Sequence, residues 1–158
     1  MIFSEKLFAL GKMKVSYTER KLVDPDIQAG WFQQVREMHD LETVQDYVEL
    51  IGDLIAVQGE ARLVDLARRL GVSQPTAKKV VARLQKEGFV ESKPYRALFL
   101  TEKGQRLSDA SKTRHQIVLN LLLKLGVSRA AAEMDAEGIE HHVSQETMAA
   151  FHQFIKEG

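Results

Sequence analysis

The sequence predicts a mainly α-helical fold that contains one small β element. Three observations support this prediction. Apolar residues recur at helical spacing over most of the chain after residue 27, and a short turn separates two helical patterns at residues 63–86. Two short runs at residues 89–93 and 97–100 are typical of strands. Together these patterns indicate an N-terminal winged helix-turn-helix followed by a helical C-terminal region.

The composition is that of an ordinary soluble globular chain. Hydrophobic residues make up 44% of the 158 residues, and there is no cysteine. A disulfide framework, a thiolate zinc site and a thiol nucleophile are therefore excluded. The sequence contains no apolar run of membrane-spanning length, and its start lacks the order of a secretory signal. We therefore expect a cytoplasmic protein without membrane contact.

Charge is unevenly distributed along the chain although the net charge is zero. Residues 1–61 contain 6 basic and 11 acidic side chains, residues 62–106 contain 11 and 4, and residues 107–158 contain 5 and 7. A basic segment between acidic ones is expected when one module contacts phosphate and the others do something else. The basic segment coincides with the helix-turn-helix pattern.

The N-terminal part predicts an arm and a short helix. Residues 1–26 show no sustained period and contain the turn signal Asp24-Pro25-Asp26, so we expect a loosely ordered arm there. Residues 27–39 predict a short helix with apolar side chains on one side. These side chains should pack on the next helix, and they are Trp31, Phe32, Val35 and Met38.

The next helix is predicted over residues 43–58. Thr43 is suited to its N-cap and Gly59 to its end. Two carboxylates, Asp46 and Glu49, point the same way from its first turns because they are three residues apart. Acidic residues near a helix N-terminus also simply favour the helix dipole and need no metal. The buried stripe of this helix should contain Val44, Tyr47, Val48, Ile51, Leu54 and Ile55.

A helix-turn-helix is predicted in the middle of the chain. Its first helix spans residues 63–70, its turn residues 71–73 and its second helix residues 74–86. Long polar and cationic side chains occupy the face of the second helix opposite its core. Such side chains suit reading of the DNA major groove. The core residues of this helix should be Ala77, Val80 or Val81, and Leu84. Its predicted DNA-contacting residues are Ser73, which can also cap it, Gln74, Pro75, Thr76, Lys78, Lys79 and Arg83.

A wing is predicted directly after the second helix. Gly88 ends that helix, and the strands at 89–93 and 97–100 form a two-stranded hairpin joined by residues 94–96. Arg96 at the tip can reach the DNA backbone or minor groove, although an exposed turn arginine explains it equally well. Helix-turn-helix, wing and local positive charge together predict DNA binding.

A long helix is predicted from residue 102 to about 124, capped by Thr101 and ended by Gly126. Gly104 in its first turn should destabilise it slightly. His115 lies on its largely apolar face, where a histidine is more often a hydrogen-bonded core residue than a ligand. Two short helices follow, capped by Ser128 and Ser144, and can cover the long helix or pair with a second copy.

Residues 135–142, at the end of the first short helix, place potential metal ligands on one face. Glu137, Glu140 and His141 have the spacing i, i+3 and i+4, so their side chains converge if the segment is helical. A pattern of this kind alone is more typical of a solvated acidic face. Matching ligand types elsewhere in the chain, at Asp46 and Glu49, favour a cation site.

These residues resemble the diphtheria toxin repressor family of metal-dependent regulators, the iron-dependent repressors, and within it the members that respond to manganese. The resemblance covers the chain from residue 31 onward. Its most specific parts occur in order at residues 46–49 (DYVE), 71–76 (GVSQPT), 114–115 (RH) and 135–144 (DAEGIEHHVS).

The sequence pattern predicts three segments, and the resemblance implies a metal site and a symmetric assembly. The arm (1–26) precedes a winged helix-turn-helix DNA-binding domain (27–100) and a helical metal-binding and dimerisation domain (101–158). The expected assembly is a homodimer that binds palindromic operator DNA. The implied ligands of a paired metal site are Asp46, Glu49, His115, Glu137, Glu140 and His141.

The ligand types favour manganese. Iron-selective members of the family use methionine in place of Asp46 and cysteine in place of Glu137, and both residues here are hard oxygen donors. We expect two Mn²⁺ ions per subunit, with Fe²⁺, Zn²⁺ or Cd²⁺ able to substitute. His142, about 100° around the helix from His141, should not be a ligand of this site. Ala97 departs from the glycine that is usual in the wing of the family.

The resulting prediction is a manganese-dependent transcriptional repressor of metal-uptake genes. The alternative is a winged-helix repressor that responds to iron or to a non-metal ligand. An enzyme is disfavoured, because dimetal oxidases of helical bundles need E-x-x-H pairs and zincins need H-E-x-x-H, and the sequence contains neither. No small organic substrate is expected.

Overall fold

Helices account for most of the described residues and carry one small sheet, which confirms the predicted fold class. The computed structural model describes residues 22–93 and 97–157. The helices are α1 (Pro25–Gln58), α2 (Leu63–Arg69), α3 (Gln74–Lys86), α4 (Glu102–Lys124), α5 (Arg129–Ile139) and α6 (Gln145–Lys156). The strands are β1 (Ala61–Arg62), β2 (Val90–Lys93) and β3 (Ala97–Leu100), and a 3₁₀ turn spans Glu140–His142.

Helix α1 is continuous where the sequence predicted two helices. The Asp24 carboxylate accepts hydrogen bonds from the backbone N–H groups of Asp26 (3.0 Å) and Ile27 (3.4 Å), and Pro25 takes the first helical position. The predicted turn at these residues is therefore a helix start. No glycine or proline separates the two predicted helices, so nothing ends α1 there. Thr43 is an interior residue and not an N-cap.

The prediction that the N-terminal apolar residues pack on a following helix is wrong. Because both segments belong to the continuous helix α1, the first segment cannot fold back onto the second. Trp31, Phe32 and Val35 are 54%, 59% and 47% exposed. Met38 is half-buried.

The C-terminal half of α1 lies at the centre of a first hydrophobic core. Its predicted stripe is buried, with Ile55 packed against it as a partly buried residue. The helix-turn-helix and the sheet cover this stripe, so the orientation of α1 is tied to that of the DNA-reading helix. The core includes Val44, Tyr47, Val48, Ile51 and Leu54 of α1 and Leu66, Ala77, Leu84, Val90 and Leu98 of the covering elements.

The helix-turn-helix forms as predicted. Gly71 in the turn has a φ of +66°, a conformation that favours glycine. Ser73 Oγ accepts a hydrogen bond from the Thr76 backbone N–H (3.2 Å) and so caps α3. Of the two valines predicted as alternative core residues, Val81 is buried, whereas Val80 is partly buried and packs against the core.

The sheet has three antiparallel strands in the order β1-β3-β2, whereas the sequence predicted a two-stranded wing. The additional strand β1 is only two residues long and pairs Ala61 with Leu98. On the other side of β3, Val90 pairs with Leu100, so β2 begins one residue later than predicted. The predicted tip of the wing, with Arg96, lies outside the described residues.

The start of α4 requires glycine, which the sequence analysis treated only as a small destabilisation. Thr101 Oγ1 accepts from the Gly104 N–H (3.1 Å), as predicted for the cap, and donates to Gly88 O (2.7 Å). A Cβ atom on Gly104 would lie 2.1 Å from Phe89 O. Glycine therefore permits the close approach of α4 to the segment before β2.

A second hydrophobic core joins α4, α5 and α6. Ser128 and Ser144 cap α5 and α6 as predicted, but α5 ends at Ile139 and the 3₁₀ turn replaces the last predicted helical turn. Among the described residues, no helix is long and apolar enough to cross a membrane. The buried residues of this core are Val118, Leu119, Ala132, Ala136 and Met148.

Candidate metal centre

The structure brings the six predicted metal ligands together from four elements. Asp46 and Glu49 lie on α1, which belongs to the first core. The other ligands lie on elements of the second core or on the turn that follows α5. The region therefore connects the DNA-reading core to the second core. These other ligands are His115 on α4, Glu137 on α5, and Glu140 and His141 in the 3₁₀ turn.

His141 contacts α1 with both ring nitrogens. Its Nε2 atom lies 3.1 Å from Asp46 Oδ1, and its Nδ1 atom donates to Gln45 Oε1 (2.9 Å). The His141 side chain is only 3% exposed. The Gln45 acceptor holds the proton on Nδ1, so that Nε2 is the nitrogen directed to Asp46 and available to a cation.

Glu140 is a buried carboxylate with an unsatisfied oxygen. Its side chain is 3% exposed, with Oε2 2.8 Å from His115 Nδ1 and Oε1 3.5 Å from His141 Nε2. The approach to His115 lacks hydrogen-bond alignment, and Oε2 has no hydrogen-bond partner among the described residues. A buried carboxylate oxygen in this position is unfavourable unless a proton or a cation compensates it. The donor set therefore fits a bound cation.

Glu137 and Glu49 complete the region on its open side. Glu137 Oε1 lies 3.7 Å from His115 Nδ1, and the Glu137 side chain is 70% exposed. Both carboxylates line a cavity of about 480 Å³ together with Asp46, and a neighbouring cavity of about 440 Å³ together with His115. Lys112 borders the second cavity and is paired with Asp53 at 2.6 Å. Cations can thus approach from solvent.

Burial and negative charge make the region retain protons. Burial raises the pKa of Glu140 to about 7, and the nearby Glu49 and Glu137 carboxylates act in the same direction. Burial also raises the pKa of Glu49. For His141, burial lowers the pKa, but the hydrogen bond to Asp46 and the surrounding carboxylates outweigh it and raise the pKa above its ordinary value. Such shifts are expected where carboxylates crowd together without a compensating ion.

Two supporting residues were missed by the sequence analysis. Arg114 donates from Nε (3.0 Å) and Nη2 (2.6 Å) to Glu140 O, and from Nη2 to Val143 O (2.6 Å). It thereby holds the backbone of the turn that carries two of the ligands. Gln45, the acceptor of His141, precedes Asp46 and is 9% exposed. The burial of Gln45 depends on this packing, so no local sequence pattern marks it.

The predicted DNA-contacting residues of α3 lie on an exposed face. Ser73 uses its hydroxyl to cap the helix, and Arg83 Nε donates to Glu87 Oε1 (2.7 Å). The remaining side chains leave a polar and basic surface opposite the buried residues of α3. The exposed residues are Ser73, Gln74, Pro75, Thr76, Lys78, Lys79 and Arg83.

Two family models match most of the chain. The model of the iron dependent repressor N-terminal DNA binding domain matches residues 41–98. The model of the iron dependent repressor metal binding and dimerisation domain matches residues 101–157. The chain belongs to the iron-dependent repressor family. It is thus a transcriptional regulator with a DNA-binding domain followed by a metal-binding and dimerisation domain, as the sequence motifs predicted.

Curated relatives are similar to this chain over most of their length. The transcriptional regulator MntR of Salmonella typhimurium is 54% identical over 137 residues, which is 87% of each chain. The HTH-type transcriptional regulator MntR of Lysinibacillus sphaericus is 38% identical over 102 residues, 65% of this chain and 73% of the relative. Both relatives are transcriptional regulators.

Solved structures of related repressors share the fold. A manganese-dependent transcriptional repressor in complex with manganese is 30% identical, with a TM-score of 0.66 over 72% of this chain and 52% of its own. IdeR of T. acidophilum is 24% identical, with a TM-score of 0.66 over 71% of this chain and 53% of its own. This chain therefore spans about half the length of the proteins in these structures.

Proposed function

We propose that this protein responds to manganese and represses metal-uptake genes by binding palindromic operator DNA as a homodimer. The observation that carries the proposal is the buried Glu140 carboxylate, whose Oε2 atom lacks a hydrogen-bond partner within the described part of the chain. The proposed ligands of two Mn²⁺ ions per subunit are Asp46, Glu49, His115, Glu137, Glu140 and His141. The related manganese-dependent transcriptional repressor described above supports this assignment.

The donor chemistry supports manganese over softer metals. The proposed set contains four carboxylates and two imidazoles, and the chain has no cysteine. Carboxylate oxygens suit Mn²⁺, whereas thiolates would favour zinc or copper. Because Zn²⁺ binds most nitrogen and oxygen donors more tightly than Mn²⁺, selectivity for Mn²⁺ must come from coordination number and geometry.

Bound divalent cations would supply the positive charge that compensates the four carboxylates. In the metal-free chain, Glu140 retains a proton because burial raises its pKa to about 7. His141 also retains its proton: burial lowers its pKa, but the hydrogen bond to Asp46 and the nearby carboxylates raise it more. When these protons leave, the Glu140 carboxylate and His141 Nε2, which lies 3.1 Å from Asp46 Oδ1 and 3.5 Å from Glu140 Oε1, can bind a cation. Arg114 holds the backbone of the turn that carries both residues.

The position of α1 connects the centre to DNA. Asp46 and Glu49 share α1 with the buried stripe that supports the helix-turn-helix. Holding these two carboxylates against the turn fixes the orientation of α3 in each subunit. In a dimer, two recognition helices fixed about 34 Å apart match successive major grooves, which removes an ordering cost from DNA binding. We expect coupling of about 1–3 kcal/mol, the usual range.

The test is a fluorescence-anisotropy titration of a labelled operator duplex with the full chain. The duplex is selected from a random library by binding in Mn²⁺, and a scrambled duplex serves as the control. Parallel titrations contain Mn²⁺, Fe²⁺ without oxygen, Zn²⁺ or a chelator. The proposal predicts operator affinity about 5–150-fold higher in Mn²⁺ than in chelator. Equal affinity in Mn²⁺ and chelator would refute it, and a gain in Fe²⁺ alone would establish the iron response instead.

A further inference from the structure

A second group of metal-binding side chains lies next to the proposed manganese centre and shares none of its ligands. His39 and Glu42 lie one turn apart on α1, and His142 is the last residue of the 3₁₀ turn. Their ligand atoms all lie within 4.8 Å of one another. His39 Nδ1 is 3.0 Å and His142 Nε2 is 3.4 Å from the same carboxylate oxygen, Glu42 Oε2.

The spacing of these atoms matches a tetrahedral metal site. Zinc binds imidazole nitrogen and carboxylate oxygen at about 2.0–2.2 Å, so ligand atoms at the corners of a tetrahedron lie about 3.3–3.6 Å apart. The distance from His142 Nε2 to Glu42 Oε2, 3.4 Å, lies in this range, and the distance from His39 Nδ1, 3.0 Å, is slightly shorter. The two imidazole rings meet edge to face, at 4.7 Å and 70°, so their planes do not stack. A single ion can therefore be reached by all three side chains with small adjustments.

The backbone on the turn side of this group is held in place. Arg114 donates hydrogen bonds to the carbonyl groups of Glu140 and Val143, which flank His142. On the other side, His39 and Glu42 belong to one continuous helix. A fixed turn facing a helix is a favourable setting for a metal, because little backbone must be ordered when the ion binds.

We infer that His39, Glu42 and His142 form a separate binding site for one Zn²⁺-class ion, which cross-links α1 to the 3₁₀ turn. Two nitrogen donors and one oxygen donor suit zinc better than Mn²⁺, which prefers carboxylate-rich sites. Three protein ligands leave a fourth position for water, and the 62% exposure of His39 leaves this position open to solvent.

The site does not depend on the manganese proposal, but it acts on the same two elements. Glu42 lines the cavity that also contains Asp46 and Glu49, and His142 directly follows His141. An ion held by Glu42 and His142 therefore restrains α1 against the turn in the direction that we propose for manganese. Zinc bound here should lower the concentration of Mn²⁺ needed for operator binding.

The test is equilibrium dialysis of the full chain against Zn²⁺, comparing wild type with His39→Ala, His142→Ala and His152→Ala. His152 is an exposed histidine on α6 and serves as the matched control. His39→Ala and His142→Ala should each bind about one equivalent of Zn²⁺ less than wild type, and His152→Ala the same amount as wild type. Circular dichroism checks folding, since alanine suits an exposed helix position.

Glu49→Gln separates this site from the manganese centre. In Glu49→Gln, the visible absorption of tetrahedral Co²⁺, used as a spectroscopic substitute for Zn²⁺, should persist, and adding His39→Ala should remove it. Unchanged Zn²⁺ binding in both histidine variants would overturn the inference. Loss of the Co²⁺ absorption in Glu49→Gln alone would also overturn it, because the ligands would then belong to one shared site. If the manganese proposal fails, the operator affinity will instead be the same with and without Mn²⁺.

Discussion

His141 Nε2 lies 3.1 Å from Asp46 Oδ1, and this contact joins the turn after α5 to the helix that supports the DNA-reading core. The two residues are distant in sequence and belong to segments matched by different family models. A cation held between them would link the metal-binding and dimerisation domain to the DNA-binding domain. The predictions below follow from this relationship and from the residues that maintain it.

Gln45→Ala should weaken Mn²⁺ binding without unfolding the chain. The change removes the acceptor that orients His141 through Nδ1. Loss of such an orienting partner typically lowers metal affinity about 10–100-fold. Isothermal titration calorimetry with Mn²⁺ measures the effect, and Gln33→Ala, an exposed glutamine on the same helix, is the control. Wild-type affinity in Gln45→Ala would show that this hydrogen bond has no role in binding.

Arg114→Ala should destabilise the metal-free chain by about 1–3 kcal/mol, because the carbonyl groups of Glu140 and Val143 lose their donor. Arg114→Lys should recover only part of the loss, since lysine lacks the planar fork that reaches both carbonyls. Urea unfolding measures both variants. Arg106→Ala removes an exposed arginine that pairs with Glu102 at 2.5 Å, and it should change stability by less than about 1 kcal/mol. Similar losses for Arg106 and Arg114 would contradict the special role of Arg114.

Gly104→Ala should destabilise the chain by about 1–3 kcal/mol or more, because its Cβ would lie 2.1 Å from Phe89 O and neither backbone segment can move easily. Gly138→Ala is the matched control, since nothing lies within 4 Å of its added Cβ and it sits within α5. That change should stabilise the metal-free chain by about 0.5–1 kcal/mol. Thermal unfolding in chelator distinguishes the two, and equal melting temperatures would contradict the packing described for α4.

The metal-free chain should lose stability as the pH rises from about 5 to 8. The pKa values of Glu140 and His141 are raised in the folded chain, so the folded state binds more protons than the unfolded state in this window. For Glu140, the stabilisation is complete below its unfolded value of 4.5 and is lost as the pH passes about 7. Urea unfolding in chelator, repeated at several pH values, measures how the free energy of unfolding changes with pH.

Glu140→Gln provides the control for that pH dependence, because the amide cannot titrate. The free energy of unfolding of the variant should change less with pH than that of wild type. The two changes between pH 5 and 8 should differ by on the order of 2 kcal/mol. With Mn²⁺ present, wild-type stability should instead increase with pH, since metal binding requires deprotonated ligands. Parallel pH profiles for wild type and Glu140→Gln in chelator would show that Glu140 is not the titrating group.

Local sequence patterns were sufficient for most of the fold. The helix-turn-helix was predictable because the turn conformation of Gly71 and the capping hydrogen bond of Ser73 involve only residues close in sequence. The capping hydrogen bonds of α4, α5 and α6 also involve only residues close in sequence. The continuity of α1 was missed because apolar spacing changes near residue 40 although no residue there ends a helix. Strand β1 was missed because two residues carry no periodic signal and form a strand only by pairing with β3.

The candidate site shows the same limit. The spacing of Glu137, Glu140 and His141 predicted a shared direction, and the structure places all three in one region despite the change from α-helix to 3₁₀ turn. The roles of Arg114 and Gln45 depend on partners 26 and 96 residues away, so neither has a local signal. The same holds for the approach of His142 to Glu42, which depends on how the turn packs against α1.

Operator affinity with and without Mn²⁺, compared between wild type and Asp46→Ala, tests the central claim most directly. Wild type should bind its operator about 5–150-fold more tightly in Mn²⁺ than in chelator. In chelator, Asp46→Ala should bind the operator with wild-type affinity. Adding Mn²⁺ should not increase this affinity, because α1 no longer contributes its carboxylate opposite His141. An Asp46→Ala protein that gains as much operator affinity from Mn²⁺ as wild type would contradict the proposed coupling.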